Sequence, residues 1–288
     1  MRLLVFPAAI ALALSSHAQA QSLPASSESG GPTPPSSGIA GNYLVIGGGV
    51  VYGPSYEGSD DYVVFPVPVI QGRLGGVTIT PRAGGVALDF VPDGDNAKVG
   101  FSLGPVATYS ANRDRHIVDS VVRAAGRLNA DIAVGVSSGV TLYRVLDAYD
   151  SLTASVDVKW DIRGPKGGMQ IVPSLGYTTP LSKTTIATLA VSAKHVDADY
   201  ANYYYSVSPV QSVASGLPLY QAHGGWASVG ATLLLGHSLT GDLRRNGLSL
   251  FIVGNYSRLL DDARDNPYTA IRGTPNQWVG GGGIAFKF

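Results

Sequence analysis

Apolar and polar residues alternate along most of the chain with a period of two. In residues 152–163 one face is entirely apolar and the other is entirely polar. The apolar face comprises Leu152, Ala154, Val156, Val158, Trp160 and Ile162, and the polar face comprises Thr153, Ser155, Asp157, Lys159, Asp161 and Arg163. Because successive side chains of a β-strand point to opposite sides, this pattern predicts strands with one apolar and one polar face.

The predicted strands are long, and their second face is rich in Gly, Ser, Thr and charged residues. They extend over about 10 to 16 residues, whereas strands most often have about 5–6. A polar second face is expected for the interior of a barrel whose apolar face meets lipid. The pattern therefore predicts an all-β protein that forms a transmembrane antiparallel up-and-down β-barrel, rather than a soluble sandwich.

The last predicted strand supports a membrane barrel. Trp278, Ile284, Phe286 and Phe288 share one of its faces, and an alternating strand that closes on Phe resembles the signal that outer-membrane barrels present to the barrel assembly machinery. Aromatic residues near the predicted strand ends are as expected for interfacial girdles. We therefore predict the outer membrane of a Gram-negative bacterium, with membrane lipid, lipopolysaccharide and the assembly machinery as partners.

The number of strands is predicted less directly. Eleven segments alternate, whereas a single-chain barrel with both termini in the periplasm has an even number of strands, so about 12 strands are predicted, with 10 as the alternative. Either the missing strand lies in 200–215, or one of the segments has been divided incorrectly. The alternation changes phase at Gly84-Gly85, where a bulge or a turn is expected. The segments are 42–53, 62–74, 76–90, 97–110, 128–145, 151–163, 168–179, 184–196, 223–238, 247–259 and 276–288.

One internal segment has a different period. Within residues 114–127, Ile117, Val121, Val122 and Ala125 have helical spacing. The spacing predicts a short helix or a plug inside the barrel.

The N-terminal segment has the features of an export signal. Arg2 precedes an apolar stretch at 3–14, and Ala18-Gln19-Ala20 is a small-x-small cleavage site, so residues 1–20 are predicted to be a signal peptide. A transmembrane helix would need about 20 apolar residues. Residues 21–40 are rich in Pro, Ser and Gly and predict a disordered leader, which leaves 41–288 for the barrel.

Composition narrows the possible functions. The chain has 20 basic and 20 acidic residues, a net charge of zero and no cysteine. Nucleic acid is not expected as a partner, because binding to phosphates requires a basic face. Disulfides and thiolate metal sites are excluded. No hydrolase or metalloprotease motif occurs, so we predict a protein that is not an enzyme, without catalytic, cofactor-binding or metal-binding residues.

Several phrases resemble the MipA/OmpV family of outer-membrane proteins. They are Tyr56-Glu57-Gly58-Ser59-Asp60-Asp61-Tyr62 with Pro66-Val67-Pro68, Tyr203-Tyr204-Tyr205-Ser206-Val207-Ser208, Ser215-Gly216-Leu217-Pro218-Leu219-Tyr220-Gln221-Ala222, and Tyr256-Ser257-Arg258-Leu259-Leu260-Asp261-Asp262-Ala263-Arg264-Asp265-Asn266-Pro267. With the terminal strand they cover nearly all of 42–288. The resemblance implies an integral outer-membrane barrel. The namesake of the family is described as a scaffold that joins a lytic transglycosylase to a murein synthase, and the family has no defined catalytic residues.

Two groups of residues are candidates for function. Candidate loop contacts lie in two of the family phrases: Tyr56, Glu57, Asp60, Asp61, Asp262, Asp265 and Pro267. Candidate lumen residues lie on the polar face of the strand at 151–163: Asp157, Lys159, Asp161 and Arg163. In an open pore these charges would make a weakly selective wall, and in a closed barrel they would pair across strands.

These observations lead to one predicted function and two alternatives. The resemblance favours a non-enzymatic scaffold or adaptor for a periplasmic murein synthase and a lytic transglycosylase. The polar inner faces leave open a narrow channel for small solutes. A barrel hydrolase that uses the loop carboxylates Asp60, Asp61, Asp261 and Asp262 is the least favoured, because nothing assigns these residues separate roles as nucleophile, base and oxyanion donor.

Overall fold

Twelve antiparallel strands form a closed barrel in a computed structural model that describes residues 41–94, 96–114, 116–164 and 167–288. Each strand pairs with its neighbours along the chain, and β1 pairs with β12 to close the barrel. The strands are β1 (Tyr43–Pro54), β2 (Tyr62–Leu74), β3 (Val77–Arg82), β4 (Gly85–Asp89), β5 (Val99–Ser110), β6 (Asp131–Tyr143), β7 (Ser151–Asp161), β8 (Met169–Pro180), β9 (Thr185–Val196), β10 (Gly225–Ser238), β11 (Gly247–Leu259) and β12 (Asn276–Lys287).

The part of the chain that the structure describes contains five short helices, all in the connections between strands. They are α1 (Ser120–Ala124), α2 (Ala198–Tyr205), α3 (Pro209–Ser215), α4 (Asp261–Asp265) and α5 (Pro267–Ala270). Among the described residues, no helix has the length and apolar character that a membrane span requires. The predicted signal peptide and leader, residues 1–40, lie outside the described residues.

The predicted barrel with 12 strands is confirmed, and of the two explanations left open for the missing strand, the divided segment at Gly84-Gly85 is correct and the strand in 200–215 is wrong. The segment 76–90 is two strands, β3 and β4, joined by a tight turn at Gly84, which has a φ of +70°. A side chain at Gly84 would run into the carbonyl oxygen of Tyr109 in β5, so the turn requires glycine both for its φ and for this close approach.

The segment 200–215 is helical rather than a strand. Asp197 caps α2 by accepting a hydrogen bond from the Tyr200 amide at 2.9 Å. Ser208 and Gln211 form a capping box at the start of α3, with Pro209 at its first position. Cap residues satisfy the amides that a helix leaves without partners at its start. These local signals fix two helices where the strand count suggested a strand.

The segment 114–127 contains the helix that its spacing predicts. Asp119 caps α1 by accepting hydrogen bonds from the amides of Val121 and Val122, both at 2.8 Å. Val122 is fully buried, which is why the apolar residues of this segment follow a helical period.

The two faces of the strands are inverted relative to a soluble protein. In β6, Ser137 and Thr141 are buried, whereas Val134, Val136 and Val140 are exposed. An exposed apolar face and a buried polar face are what a barrel in lipid requires, because the hydrocarbon surrounds the wall and the polar side chains fill the interior.

The two ends of the barrel differ in the length of their connections. At the end where β1 begins and β12 ends, called here the terminal end, the connections are 75–76, 90–98, 144–150, 181–184 and 239–246. At the opposite end, called the loop end, most connections are longer: 55–61, 83–84, 111–130, 162–168, 197–224 and 260–275. All five helices belong to the loop end.

The seam between β1 and β12 depends on glycine. Gly49 lies opposite Gly283 in the register, and a Cβ atom on Gly283 would run into the backbone of Gly48 and Gly49. In the same strand, a Cβ atom on Gly280 would meet nothing within 4 Å. Comparing a substitution at Gly283 with the same substitution at Gly280 therefore distinguishes steric crowding at the seam from the general effect of replacing a glycine.

We expect Gly283→Ala to destabilise the barrel by about 1–3 kcal/mol, because the added methyl group forces the paired backbones apart. Gly280→Ala should change stability by less than about 0.5 kcal/mol. Urea unfolding in phospholipid vesicles, followed by tryptophan fluorescence, measures both values. Equal stability of the two variants would contradict this role of the seam glycines.

Candidate functional site

The long connections at the loop end fold together and fill that end of the barrel. We call them the loop plug: residues 55–61, 111–114, 116–130, 197–224 and 260–275. Their apolar side chains, together with those of neighbouring strand ends, form two buried clusters. The first is Val196, Tyr200, Ala201, Tyr204, Tyr205, Ala222, Ala227, Leu259 and Ala263, and the second is Tyr56, Ile117, Val122, Ala125, Val207, Leu217 and Tyr268.

Helix α2 crosses the lumen. The Tyr204 hydroxyl donates to Asp161 Oδ2 at the end of β7, at 3.3 Å, and the Tyr205 hydroxyl donates to Glu57 Oε2 in the connection from β1 to β2, also at 3.3 Å. These partners lie on opposite sides of the closed barrel. One short helix therefore links both walls, and its tyrosines fill the space between them.

A buried ion pair ties the plug to the wall. Lys194 Nζ in β9 lies 2.8 Å from Glu57 Oε1, and both side chains are 1% exposed. Asn112 adds to the pair, because its Oδ1 accepts from the Glu57 amide at 3.0 Å and its Nδ2 donates to Glu57 Oε2 at 3.5 Å. A buried carboxylate is tolerated only when it is paired and hydrogen-bonded, and Glu57 meets both conditions.

Arg113 is held inside the plug in an unusual conformation. Its φ is +56°, its guanidinium stacks over the Tyr268 ring at 3.7 Å, and its Nη1 donates to the Tyr204 carbonyl at 3.3 Å. Burial lowers the pKa of Arg113. Stacking on an aromatic face and donating to a carbonyl are two ways in which a buried guanidinium recovers part of its lost hydration.

Tyr56 anchors the first connection beneath the last one. Its hydroxyl donates to the carbonyls of Tyr268 at 3.2 Å and Arg272 at 3.1 Å. Burial raises the pKa of Tyr56, and the nearby charges of Asp119 and Asp60 add to this. The phenol is therefore neutral and serves as a donor that joins two loops.

The candidate loop contacts separate into buried and exposed residues. Tyr56, Glu57 and Pro267 are buried in the plug. Asp262 accepts from the Tyr220 hydroxyl at 2.6 Å and from the His223 amide at 2.6 Å. Asp60 and Asp265 are exposed, and Asp61 is partly exposed. Asp265 pairs with Arg264 at 2.7 Å.

The candidate lumen residues also separate. Asp157 pairs with Arg82 Nε at 2.7 Å, Lys159 donates to Thr108 Oγ1 at 3.3 Å, and Asp161 accepts from the amides of the two residues that follow Ile162, at 2.7 Å each. These three side chains are buried. Arg163 lies beyond the end of β7 and is exposed.

Three residues of the site were not recognised in the sequence: Lys194, Arg82 and Arg113. Lys194 follows Ser192 and Ala190 on the inward face of β9, so the period of two could have identified it. Arg82 pairs with a strand that is distant in sequence, and Arg113 lies in a loop without a period. For these two, only the folded chain brings the partners together.

Nearer the terminal end, the interior contains a cavity of about 60 Å³. Its lining includes Arg73, Arg82, Asp89, Ser102 and Thr153. A water needs roughly 10–15 Å³ of such volume, so the cavity has room for a few waters. Among the described residues, no group of three or more His, Asp or Glu side chains could hold a metal ion.

The plug should loosen at low pH through Asp119. Burial raises the pKa of Asp119, but hydrogen bonds from Arg272 at 2.6 Å and from the Val122 and Val121 amides outweigh it, so the net pKa is below its ordinary value. A carboxylate with a depressed folded pKa stabilises the fold above its unfolded pKa of about 3.9 and loses this effect as the pH falls through the folded pKa.

We expect Asp119→Asn to reduce hydrogen-exchange protection of 117–126 about fivefold at pH 6, or about 1 kcal/mol, because the amide can still cap α1 but no longer forms the ion pair with Arg272. The wild-type protein should lose the same protection below about pH 4, and the variant should show no further step. The exposed Asp265→Asn serves as the control. A wild-type protein with constant protection from pH 6 to pH 2.5 would contradict this expectation.

Comparison with known proteins gives one informative match. The family model described as "MltA-interacting protein MipA" matches residues 46–288. No curated protein matches the sequence. Similar solved structures include OccK11 (OpdR) of Pseudomonas aeruginosa, with 10% identity, a TM-score of 0.28 and coverage of 86% of this chain and 95% of that chain. OccAB1 of Acinetobacter baumannii has 10% identity, a TM-score of 0.26 and coverage of 89% and 100%. TM-scores this low do not support any conclusion about this chain from the two structures.

Proposed function

The chain belongs to the MltA-interacting protein (MipA) family, and on that premise we propose that this outer-membrane β-barrel is a non-enzymatic adaptor. In this proposal it holds a lytic transglycosylase and a murein synthase at the periplasmic side of the outer membrane. The observation that supports the proposal is the filled lumen: α2 and the residues around it occupy the loop end, where the side chains of Glu57 and Lys194 are each 1% exposed.

A filled lumen favours an adaptor over a channel. A solute path would have to pass α2, whose Tyr200, Tyr204 and Tyr205 are buried between the walls. Barrels of this size lie between small barrels filled by side chains and the 16-stranded porins with open channels. With the interior occupied, the surfaces that remain to act on other molecules are the connections at the two ends.

The terminal end is the side for murein enzymes. In outer-membrane barrels the short turns face the periplasm and the long loops face outward. The chain has its shorter connections at the terminal end, so that end faces the cell wall. The name of the family also describes an interaction with a lytic transglycosylase, MltA.

Crosslinking in intact cells tests the proposal. A photoreactive amino acid at Leu146 or Lys183, in terminal-end connections, should capture a lytic transglycosylase or a murein synthase. The matched control carries the same amino acid at Val213 of α3, at the loop end, and an unrelated barrel sets the background. Capture of no murein enzyme above that background would overturn the proposal.

A further inference from the structure

Four connections at the terminal end form one continuous surface. The side chain of Arg144 donates to the carbonyls of Asn96 at 2.8 Å and Ala97 at 3.0 Å, which joins 144–150 to 90–98. The guanidinium of Arg244 lies 5.2 Å from the centre of the Tyr149 ring, and the Leu243 amide donates to the Lys183 carbonyl at 3.0 Å. We call this surface the turn rim: residues 90–94, 96–98, 144–150, 181–184 and 239–246.

The turn rim faces along the barrel axis. Its connections at 144–150 and 239–246 are separated along the wall by strands β7 to β10. The contact between Arg244 and Tyr149 therefore crosses over the mouth of the barrel. Lys287 supports this crossing from below, because its Nζ donates to the carbonyls of Leu243 at 3.1 Å and Arg244 at 2.9 Å.

Most acidic side chains of the turn rim are used to hold its own turns. Asp150 is buried and accepts hydrogen bonds from the amides of Val145 at 2.7 Å and Leu146 at 2.8 Å. Asp93 accepts from the Tyr143 hydroxyl at 2.6 Å, and Asp242 accepts from the Arg244 amide at 2.9 Å.

Most basic side chains of the turn rim point outward instead. Lys98, Lys183, Arg244 and Arg245 are exposed, as is Arg144. Among the described residues, Asp147 is the exposed acid of the turn rim. Across the described part of the turn rim, basic groups therefore make up most of the exposed charge; Arg244 is paired with Asp242 at 3.7 Å, and the exposed Lys98, Lys183 and Arg245 are complementary to an acidic partner.

Leu146 is an exposed apolar residue in the 144–150 connection of the turn rim. It is 84% exposed, but its backbone amide is held in place by a hydrogen bond to Asp150. The neighbouring Asp147 amide donates to the same carboxylate at 2.9 Å. A side chain that is presented by a turn already held in place loses little conformational entropy on binding, which is how preorganised contacts gain affinity.

Resting on the proposed adaptor function, we propose that Leu146, Lys98, Lys183 and Arg245 form the docking surface for the lytic transglycosylase, through an apolar pocket bordered by carboxylates on that enzyme. Buried apolar anchors surrounded by complementary charge are typical of the contacts that dominate protein interfaces. A protein is favoured over lipid because the turn rim crosses the barrel mouth, whereas lipid headgroups surround the wall.

Binding of purified MltA-type lytic transglycosylase to the mature full-length barrel in zwitterionic nanodiscs tests the docking surface. We expect Leu146→Asp to raise the Kd at least tenfold. The triple variant Lys98→Glu, Lys183→Glu and Arg245→Glu should raise it as much and also flatten its dependence on salt. Arg144 is left unchanged because it holds the turn. Heat-dependent migration on gels verifies that each variant folds.

Matched controls lie at the loop end. Val213→Asp changes a residue that is 89% exposed in α3, and Arg127→Glu with Arg163→Glu reverses two exposed charges. Both controls should bind within twofold of the wild-type protein.

The outcomes distinguish the docking surface from the proposed function. If the wild-type protein does not bind the enzyme, the adaptor function fails and the docking surface with it. If the wild-type protein binds and Leu146→Asp binds equally well, the docking surface is wrong while the adaptor function stands. If the variants lose binding only to phosphatidylglycerol vesicles and not to the enzyme, the turn rim contacts lipid, and the docking surface is again wrong.

Discussion

Replacing Lys194 by methionine is expected to destabilise the barrel by about 3–5 kcal/mol, the usual cost of removing one partner from a buried ion pair. The substitution keeps most of the length of the side chain and removes its charge. Glu57 would then keep Asn112 and Tyr205 as hydrogen-bond partners but lose the ammonium at 2.8 Å. Denaturant unfolding in vesicles, with the tryptophans as probe, measures the change.

Two further variants show whether the charge is the cause. The double variant Glu57→Gln and Lys194→Met removes both charges and should recover part of the lost stability, because no uncompensated charge remains buried. Arg264→Met removes one partner of an exposed pair and should destabilise the barrel far less than Lys194→Met does, because solvent screens an exposed pair. A Lys194→Met variant as stable as Arg264→Met would contradict the role of the buried pair in tying the plug to the wall.

Replacing residues 198–222 by a short Gly-Ser linker is expected to open the barrel. The deletion removes α2 and α3, and with α2 the tyrosines that reach Asp161, Lys194 and Glu57. A short linker suffices because Val196 and Gly225 are already paired across β9 and β10. We expect steady, discrete current steps in a planar bilayer, where the wild-type protein should give none.

The control for this deletion keeps α2 and changes only the exposed face of α3. Val210 and Val213 are exposed and α3 has no buried residue, so Val210→Ser with Val213→Ser should leave the barrel silent. Openings in this control, or a folded deletion variant that conducts no current, would show that α2 is not what fills the lumen.

The barrel could be predicted from the sequence because its signal is local. Each strand alternates within its own residues, as in 152–163, so the two faces and most strands could be assigned without knowledge of the partners. The error arose where local signals compete. The segment 200–215 was counted as a possible strand, although Asp197, Ser208 and Pro209 are helix-start residues. The additional strand instead comes from the turn at Gly84, which was the other explanation that the alternation left open.

The interior of the site was less accessible to sequence reasoning. Glu57 was predicted to make contacts from a loop, yet it pairs with Lys194, which lies 137 positions later. No period links two such residues, and the pair exists only because the barrel closes and the loop turns inward. In the sequence, Arg163 continues the alternation of β7, but the strand ends at Asp161. Beyond the last paired residue, the alternation no longer determines which way a side chain points.

Single-channel recording of the refolded wild-type protein in a planar bilayer tests the central claim most directly. If α2 and the rest of the loop plug fill the lumen, folded protein that migrates faster unheated than boiled should insert without discrete openings. Steady openings from such folded protein would contradict the filled lumen and, with it, the observation that supports an adaptor rather than a channel.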